Sequence, residues 1–274
     1  MKYSLNYLFI GLFMLGCRSE ESRKDFQIKV LFEKALSLDN VKQGDEIQEM
    51  LYDSILSLND SHADTWYEKS SWSIKIGDYV NHFKFLNKAV KLEPKIYTGY
   101  RGAMKLFYLR DYDGAIEDFK KQISFYPEQQ NIAAWGRPTL FLLGKAYWQK
   151  GEYKTAIMHF EKYIKEEQET TGIEWVDVRT YWYLGLCQKE IGELTNALKS
   201  FEKGIVRYEQ FTEAYYHSAK IFIELNQPEK ACEYLEKALY HGLQGSIHID
   251  SFREVFGQIY LSDIEEAIEN SCTK

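Results

Sequence analysis

The chain has 274 residues, a formal net charge of −7 and a hydrophobic content of 45%. This length accommodates one large or two modest domains with an extensive core. The acidic balance argues against a nucleic-acid-binding protein, which needs a positively charged surface. The four prolines fall at expected helix boundaries or turns, as an all-helical chain requires.

Residues 1–16 carry one lysine and then a short apolar run. The run is too short to cross a bilayer core, which takes about 20 residues, but it suits a secretory signal peptide. It ends at Met14-Leu15-Gly16-Cys17, which resembles the lipobox of bacterial lipoproteins. The resemblance implies cleavage before Cys17 and lipidation of that cysteine, with palmitate among the acyl chains. An ordinary signal peptide followed by a coincidental cysteine is the alternative.

Residues 17–25 contain only charged and polar side chains after the cysteine, which predicts a flexible tether. Arg18 stands where, in lipoproteins of two-membrane bacteria, an aspartate would favour retention in the inner membrane. We therefore expect an exported protein that its lipid anchors to the outer membrane, on the periplasmic or the surface side.

The stretch 143–160, LGKAYWQKGEYKTAIMHF, predicts two helices joined by a tight turn. Gly144 and Ala156 are small residues at the expected crossing of these helices. Gly151 stands where the first helix ends, because glycine readily adopts the left-handed conformation of a helix C-terminus. The same pattern recurs along residues 63–242.

Five copies of this pattern align on one residue of each second helix. Successive copies are 33, 41, 41 and 34 residues apart, measured at His82, Ala115, Ala156, Ala197 and Ala231. The pattern resembles the tetratricopeptide repeat (TPR) family, whose period is about 34 residues. The resemblance implies an all-α TPR solenoid over residues 63–242, a right-handed superhelix of helix–turn–helix repeats.

Two features depart from the family pattern. His82 replaces the usual alanine, and we expect it to be a core histidine rather than a ligand. The two long spacings place about seven extra residues around 131–137 and 171–177, and each insert carries a tryptophan. These tryptophans, Trp135 and Trp175, either project as a platform at one edge of the solenoid or seal longer helices. Both hypotheses remain open.

The repeats are flanked by less regular segments. Residues 26–62 predict a degenerate N-terminal capping repeat of ambiguous register, since the outer repeats of a solenoid face water. Residues 243–274 predict a helical C-terminal cap with short helices at 251–260 and 262–270. An apolar stripe on the first of these should cover the exposed end of the last repeat: Phe252, Val255, Phe256 and Ile259.

No pattern of catalytic or metal-binding residues stands out. The four cysteines are too few and too scattered for a disulfide framework or a zinc site, and we expect Cys187 and Cys232 to be small buried side chains. The six histidines lack metal-ligand spacing, and no nucleophile elbow, P-loop or dinucleotide fingerprint occurs. The sequence therefore predicts a protein that is not an enzyme and has no metal or cofactor.

In the TPR family, positions 2, 5, 9 and 12 of each first helix line an inner groove. Carried over to this chain, these positions hold cations interleaved with aromatic rings, a composition typical of protein-binding surfaces. The predicted groove residues are Arg101, Lys105, Tyr108, Phe141, Lys145, Trp148, Arg179, Trp182, Lys189, Tyr216 and Lys220. The alternative is that the rings pack on neighbouring helices and the cations only solubilise this face.

The resemblance implies a lipid-anchored scaffold or adaptor that mediates protein–protein interactions at the bacterial cell envelope. We expect its groove to bind an acidic and aromatic segment of an envelope protein. The carboxylate clamp of chaperone-binding TPR proteins is absent, which argues against a chaperone C-terminus as ligand. A glycan-binding lipoprotein that stacks sugars on Trp148, Trp182 and Tyr216 is the alternative.

Overall fold

A computed structural model describes residues 5–42, 44–128, 132–251 and 253–272. These residues are almost entirely helical, so the predicted all-α fold class is confirmed. They fall into two compact units, the first ending at Arg101 and the second beginning at Gly102. Among the described residues, no helix is both long enough and apolar enough to cross a bilayer.

The helices of the first unit are consecutive and antiparallel in pairs, as helical hairpins require. They are α1 (Leu5–Lys42), α2 (Glu46–Leu58), α3 (Ala63–Lys75), α4 (Tyr79–Leu92) and the start of α5 (Pro94–Met104). Ile28, Ala35, Tyr52 and Ile55 form a buried cluster between α1 and α2. The degenerate N-terminal repeat is therefore built as a helical pair.

The helix α1 runs without interruption from residue 5 to residue 42, and residues 1–4 of the predicted signal peptide lie outside the described residues. Residues 17–25, predicted to be a flexible tether, are thus helical here. The side chains of residues 1–19, including Cys17, lie outside the described part of the chain, so lipidation of Cys17 stays a prediction.

His82 is fully buried on α4, and its Nδ1 lies 2.8 Å from the carbonyl oxygen of Ser70. Burial lowers the pKa of this histidine, and the contact with Ser70 opposes that shift. The ring is therefore a core residue, as predicted, but only Nδ1 is paired, since the buried Nε2 has no hydrogen-bond partner among the described residues.

In the second unit α5 continues through a π-helical turn at Lys105–Leu109. The helices that follow are α6 (Tyr112–Ser124), α7 (Thr139–Gln149), α8 (Tyr153–Thr170), α9 (Arg179–Glu190), α10 (Leu194–Arg207), α11 (Thr212–Glu224), α12 (Pro228–Leu243) and α13 (Leu261–Cys272). Two short antiparallel strands, β1 (Ala133–Ala134) and β2 (Arg137–Pro138), form a hairpin between α6 and α7.

In two repeats, a glycine in the first helix makes room for a phenylalanine of the second helix. A Cβ on Gly144 would lie 2.6 Å from Phe160, and one on Gly185 would lie 2.4 Å from Phe201. Any larger residue at these positions would force the hairpin apart. Gly151 has a φ of +74° where α7 ends, as predicted.

The two inserts have different structures. The helices beside the first insert, α6 and α7, have 13 and 11 residues and are not lengthened, because the extra residues form the β1–β2 hairpin. Beside the second insert, α8 has 18 residues against 14 in α10, and a 3₁₀ turn at Ile173–Trp175 follows it. Only the second insert lengthens a helix.

The C-terminal region differs from the prediction. Residues 262–270 lie in α13 as expected, but the helix predicted for 251–260 is absent from the described residues. Gly245 and Gly257 have φ values of +83° and +75°, which a right-handed helix does not accommodate. We call residues 244–260, which join α12 to α13, the C-terminal segment.

Cys232 of α12 and Cys272 of α13 form a disulfide, with Cα atoms 5.6 Å apart. The prediction that Cys232 is a free buried side chain is therefore wrong. The cause is the packing of α13 on α12, which brings together two cysteines that are 40 residues apart in the sequence. Cys187 is a free, fully buried thiol, as predicted.

Candidate functional site

The first helices of three successive repeats, α7, α9 and α11, form one face of the second unit, which we call the inner face. The C-terminal segment lies on it and is held through its main chain. Tyr183 Oη donates to the carbonyl oxygen of Phe256 over 2.9 Å. The backbone N–H of His248 donates to Glu213 Oε1 over 2.6 Å. A non-helical, irregular stretch of polypeptide therefore occupies the face that the TPR resemblance assigns to ligands.

Gly257 lies directly against the tryptophans of this face. A Cβ at this position would be 3.2 Å from the ring of Trp148 and 3.3 Å from the ring of Trp182. Trp182 has an exposed fraction of 0%. The C-terminal segment and the neighbouring helices thus cover a ring that was predicted to be open to ligands.

The predicted groove residues fall into three groups by exposure. Three of them are buried: Phe141, Lys145 and Trp182. Seven are half-buried: Arg101, Lys105, Tyr108, Trp148, Arg179, Lys189 and Tyr216. Lys220 is exposed. Arg101 belongs to the first unit, where it donates to Asn87 Oδ1 over 2.9 Å.

Ion pairs balance several of the predicted groove cations. Nitrogen–oxygen distances are 2.9 Å for Lys105 with Asp118 and 3.1 Å for Lys189 with Glu224, and Arg179 pairs with Asp177. The inner face is therefore less basic than its lysines and arginines suggest. A preference for acidic segments does not follow from these paired cations.

The two inserts meet at Asp177. Arg137 Nη1 of the hairpin lies 3.3 Å from Asp177 Oδ2, and Arg179 Nε donates to Asp177 Oδ1 over 2.8 Å. Burial alone would raise the pKa of Asp177, but its hydrogen bonds with Arg179 and the nearby arginine charges outweigh burial and lower it. This carboxylate therefore stays ionised and fixes both arginines.

The tryptophans of the inserts have different environments. Trp135 packs on Phe107 at 5.6 Å between ring centroids, and the guanidinium of Arg253 lies 5.0 Å from its ring. Trp175 has an exposed fraction of 69%. Trp135 thus contacts Arg253 of the C-terminal segment, whereas Trp175 is largely open to solvent. The two rings therefore have different surroundings.

Lys145 of α7 projects among aromatic rings, with an exposed fraction of only 7%. Its Nζ lies 4.6–5.5 Å from four ring centroids, those of Phe107, Phe141, Tyr183 and Phe256. Burial, and then the charges of Arg179 and Arg253, lower the pKa of Lys145 well below its usual value. Within the described part of the chain its ammonium makes no ion pair or hydrogen bond.

A cavity of about 210 Å³ lies beside Lys145, and we call it the Lys145 cavity. Its walls come from the first insert, from α7, from the start of α9 and from the C-terminal segment. The polar and charged lining residues are Trp135, Arg137, Lys145, Arg179, His248, Asp250, Arg253 and Glu254. Burial, and then the charges of Arg179 and Lys145, lower the pKa of His248 to about 4. Its neutral ring can therefore accept a hydrogen bond from Arg179 Nη1, 3.2 Å from His248 Nε2.

Several residues of this site were not predicted. Arg137, Asp177, His248 and Arg253 lie outside the repeat positions from which the groove was inferred. The signal that points to them is the departure from the repeat: both long spacings and the irregular C-terminal segment supply residues to this site. Among the described residues, no group of three or more His, Cys, Asp or Glu side chains could hold a metal ion.

Comparison with known proteins supports the repeat assignment. The Tetratricopeptide repeat family matches residues 138–170 and 212–240, which contain α7–α8 and most of α11–α12. No curated protein sequence matches the chain. The fold is that of an all-α helical-repeat protein, and two of its helical pairs match the TPR family model.

Solved structures share this fold at low sequence identity. MamA from Desulfovibrio magneticus RS-1, from residue 41 to its end, has a TM-score of 0.57 and 16% identity, covering 68% of this chain and 97% of that one. YrrB, described as a TPR protein with an unusual peptide-binding site, has a TM-score of 0.53 and 18% identity, covering 69% of this chain and 91% of that one. PilW, described as a type IV pilus biogenesis factor, has a TM-score of 0.57 and 13% identity, covering 79% of this chain and 92% of that one.

Proposed function

We propose that this protein is a lipid-anchored TPR scaffold of the bacterial cell envelope that binds a peptide segment of a partner protein on its inner face. TPR proteins are protein–protein interaction scaffolds, and this coarser role follows from the fold. A peptide-binding site is described for YrrB, which has the same fold. The envelope location rests on the sequence around Cys17.

One observation carries the proposed binding mode: the inner face already holds a non-helical stretch of polypeptide, which turns at Phe256–Gly257. Two of its contacts use main-chain atoms, the carbonyl oxygen of Phe256 and the N–H of His248. Main-chain contacts do not depend on the bound side chains, so a partner segment can make the same ones. The C-terminal segment then acts as an internal ligand that a partner replaces.

Phe256 indicates the chemistry of the partner segment. Its ring is buried, stacks on Phe107 at 5.7 Å and lies under the guanidinium of Arg110 at 4.2 Å. An aromatic side chain is therefore the anchor that this position selects. The proposed partner segment therefore carries an aromatic side chain. It need not be acidic, since ion pairs already balance Lys105, Arg179 and Lys189.

The C-terminal segment is a tethered competitor. The disulfide Cys232–Cys272 closes the loop that contains it, so the segment stays beside the inner face even when it is lifted off. Such tethering gives a high effective concentration. A free peptide should therefore bind poorly to the wild-type protein and better once the internal segment is weakened.

This can be tested with a labelled synthetic peptide of residues 246–260 and fluorescence anisotropy. Phe256→Ala removes the buried anchor, and Gly257→Ala pushes a Cβ against Trp148 without changing the helices. We expect both variants to bind the peptide at least about tenfold more tightly than wild type. Ile249→Ala is the matched control, since Ile249 lies in the same segment with an exposed fraction of 71%.

Two results would contradict this mode of binding. If the peptide binds neither Phe256→Ala nor Gly257→Ala, although circular dichroism shows both to be folded, the inner face is not a peptide site. If it binds wild type and Ile249→Ala as tightly as the two weakened variants, it binds somewhere other than the inner face.

The proposed anchor has its own test. Mass spectrometry of the membrane-extracted protein should show a mature N-terminus at Cys17 that carries acyl chains, and Cys17→Ala should release the protein from the membrane fraction. An unmodified Cys17 in the mature chain would refute lipidation. The glycan alternative has less support than protein binding, because Trp182, one of its three stacking rings, is fully buried.

A further inference from the structure

Every feature that departs from the repeat pattern in the second unit contributes to the Lys145 cavity. The first insert supplies Trp135 and Arg137 to its wall. The second insert supplies Asp177, which holds Arg137 and Arg179 in place. The C-terminal segment closes the cavity with residues 248 and 250 and 253–256. A regular array of repeats would lack all of these parts.

The cavity has the size and lining of a small-molecule site. An apolar cavity of about 150 Å³ accommodates one benzene ring. The Lys145 cavity measures about 210 Å³, which leaves room for a ring and a small polar group. The rings of Phe107, Phe141 and Phe256 line one part of it, and arginines line another. Such a combination favours a ligand with an apolar body and a charged end.

The positive charge around this cavity is not balanced. Arg137 and Arg179 share a single carboxylate, that of Asp177, and Arg253 pairs with Asp250 at 2.8 Å. Lys145 adds an amine for which the described residues supply no acceptor. Glu254 is the third carboxylate at the cavity, so a protonated Lys145 would leave about one positive charge uncompensated.

The buried amine supports the same conclusion. Desolvation disfavours the ammonium form in the empty cavity, and four aromatic rings compensate only in part. An anion beside Nζ would restore the charged form by a charge-assisted hydrogen bond. Its oxygen atoms could also reach the guanidinium groups on the cavity wall.

We propose that the Lys145 cavity binds a small organic anion, a carboxylate on an apolar body of about one ring. The carboxylate lies between Lys145 and the arginines of the wall, and the apolar body packs on Phe107, Phe141 and Phe256. The cavity exists while the C-terminal segment, including Phe256, lies on the inner face, so it belongs to the protein without a bound partner, and the inference holds whether or not the proposed partner exists.

Titration calorimetry on the purified full-length protein tests the proposal with benzoate as the probe. Benzyl alcohol has the same ring without the charge, and inorganic phosphate has the charge without the ring. We expect saturable binding of benzoate that is at least about tenfold tighter than binding of either comparison compound, since hydrogen bonds to charged groups are the stronger ones.

Two variants locate the site. Lys145→Met removes the amine and keeps a long apolar side chain, and Arg137→Gln removes a charge from a side chain that is 43% exposed. We expect each to weaken benzoate binding about tenfold or more. Lys220→Met is the matched control, because Lys220 occupies the corresponding repeat position but is exposed and does not line the cavity.

The proposal is overturned if benzoate does not bind, or if Lys145→Met and Arg137→Gln both bind it as wild type does. Equal binding of benzyl alcohol would instead make this a neutral apolar cavity. Tighter binding of phosphate would make it a site for an inorganic ion. Because Lys145→Met removes a buried amine that makes no ion pair or hydrogen bond with the described residues and keeps an apolar chain among the rings, it should fold, and circular dichroism checks this.

Discussion

Arg137 Nη1 lies 3.3 Å from Asp177 Oδ2, and this ion pair joins the hairpin after α6 to the turn before α9. The two residues are 40 positions apart, and each belongs to a stretch that exceeds the repeat period. Asp177 also accepts from Arg179, so one carboxylate fixes two arginines on the wall of the Lys145 cavity. The inserts therefore cooperate in building one site.

Replacing Asp177 by asparagine should destabilise the second unit. The change leaves Arg137 and Arg179 without their carboxylate, and the Asp177 side chain is only 15% exposed. We expect the free energy of unfolding to fall by about 1–3 kcal/mol in urea titrations. Asp113→Asn is the control, since Asp113 forms an ion pair with Lys150 at the surface and its loss should matter much less. Equal effects of both changes would contradict this role of Asp177.

The contribution of Asp177 to the free energy of unfolding should also depend on pH. Its folded-state pKa lies below the usual value of 3.8, so its stabilising effect is present above that pH and is lost as pH falls through the folded-state pKa. The difference in unfolding free energy between wild type and Asp177→Asn should therefore shrink below pH 3.8. A difference that stays constant from neutral pH to pH 2.5 would refute the lowered pKa.

Lys145 should also make the free energy of unfolding depend on pH, in the alkaline range. Its folded-state pKa is well below 10.5, so between these two values the unfolded chain binds the additional proton. Stability must then rise with pH, by up to about 1.4 kcal/mol per pH unit from this group.

This rise should disappear in Lys145→Met and persist in Lys220→Met when unfolding is measured from pH 7 to pH 10. The other charged or titratable groups around Lys145 and the cavity are Arg137, Asp177, Arg179, Tyr183, His248, Asp250, Arg253 and Glu254. All of these remain in both variants, so the comparison isolates Lys145. Parallel curves for the two variants would show that Lys145 is charged when buried.

Removal of the disulfide should loosen the C-terminal region. Cys272→Ala opens the loop between Cys232 and Cys272, and we expect the free energy of unfolding to fall by about 2–4 kcal/mol. Hydrogen exchange should show the loss of protection concentrated in α13 and the C-terminal segment. Reductant should destabilise wild type but not Cys272→Ala, and an equal effect on both would exclude this disulfide.

Local sequence patterns predict the helical hairpins well. The small residue facing an aromatic ring, as in Gly144 and Phe160, and the glycine at a helix end, as in Gly151, act over a few residues to a few turns. These features recur along the repeats, so the fold class could be read from the sequence. The helix α13, which lies outside the repeats, was predicted from its own local pattern. His82 was also predicted correctly, because its position in the repeat is a core position.

The candidate site could be predicted only in part. Position in the repeat places Lys145 and Trp182 on the inner face, but it does not reveal what covers them. The apolar side chains of the C-terminal segment were predicted to cap the last repeat. Ile259 does pack with α11, α12 and α13, whereas Phe256 reaches Phe107 at the beginning of the second unit.

The sequence by itself determined the repeats, their helices and the order in which they stack, because each of these depends on residues that are near one another in the chain. Only the tertiary structure decided that the inner face is occupied by the protein's own C-terminal segment. It also decided that Arg137 meets Asp177 and that Cys232 meets Cys272. Contacts between distant parts of the chain depend on how the whole array packs, and no local pattern encodes them.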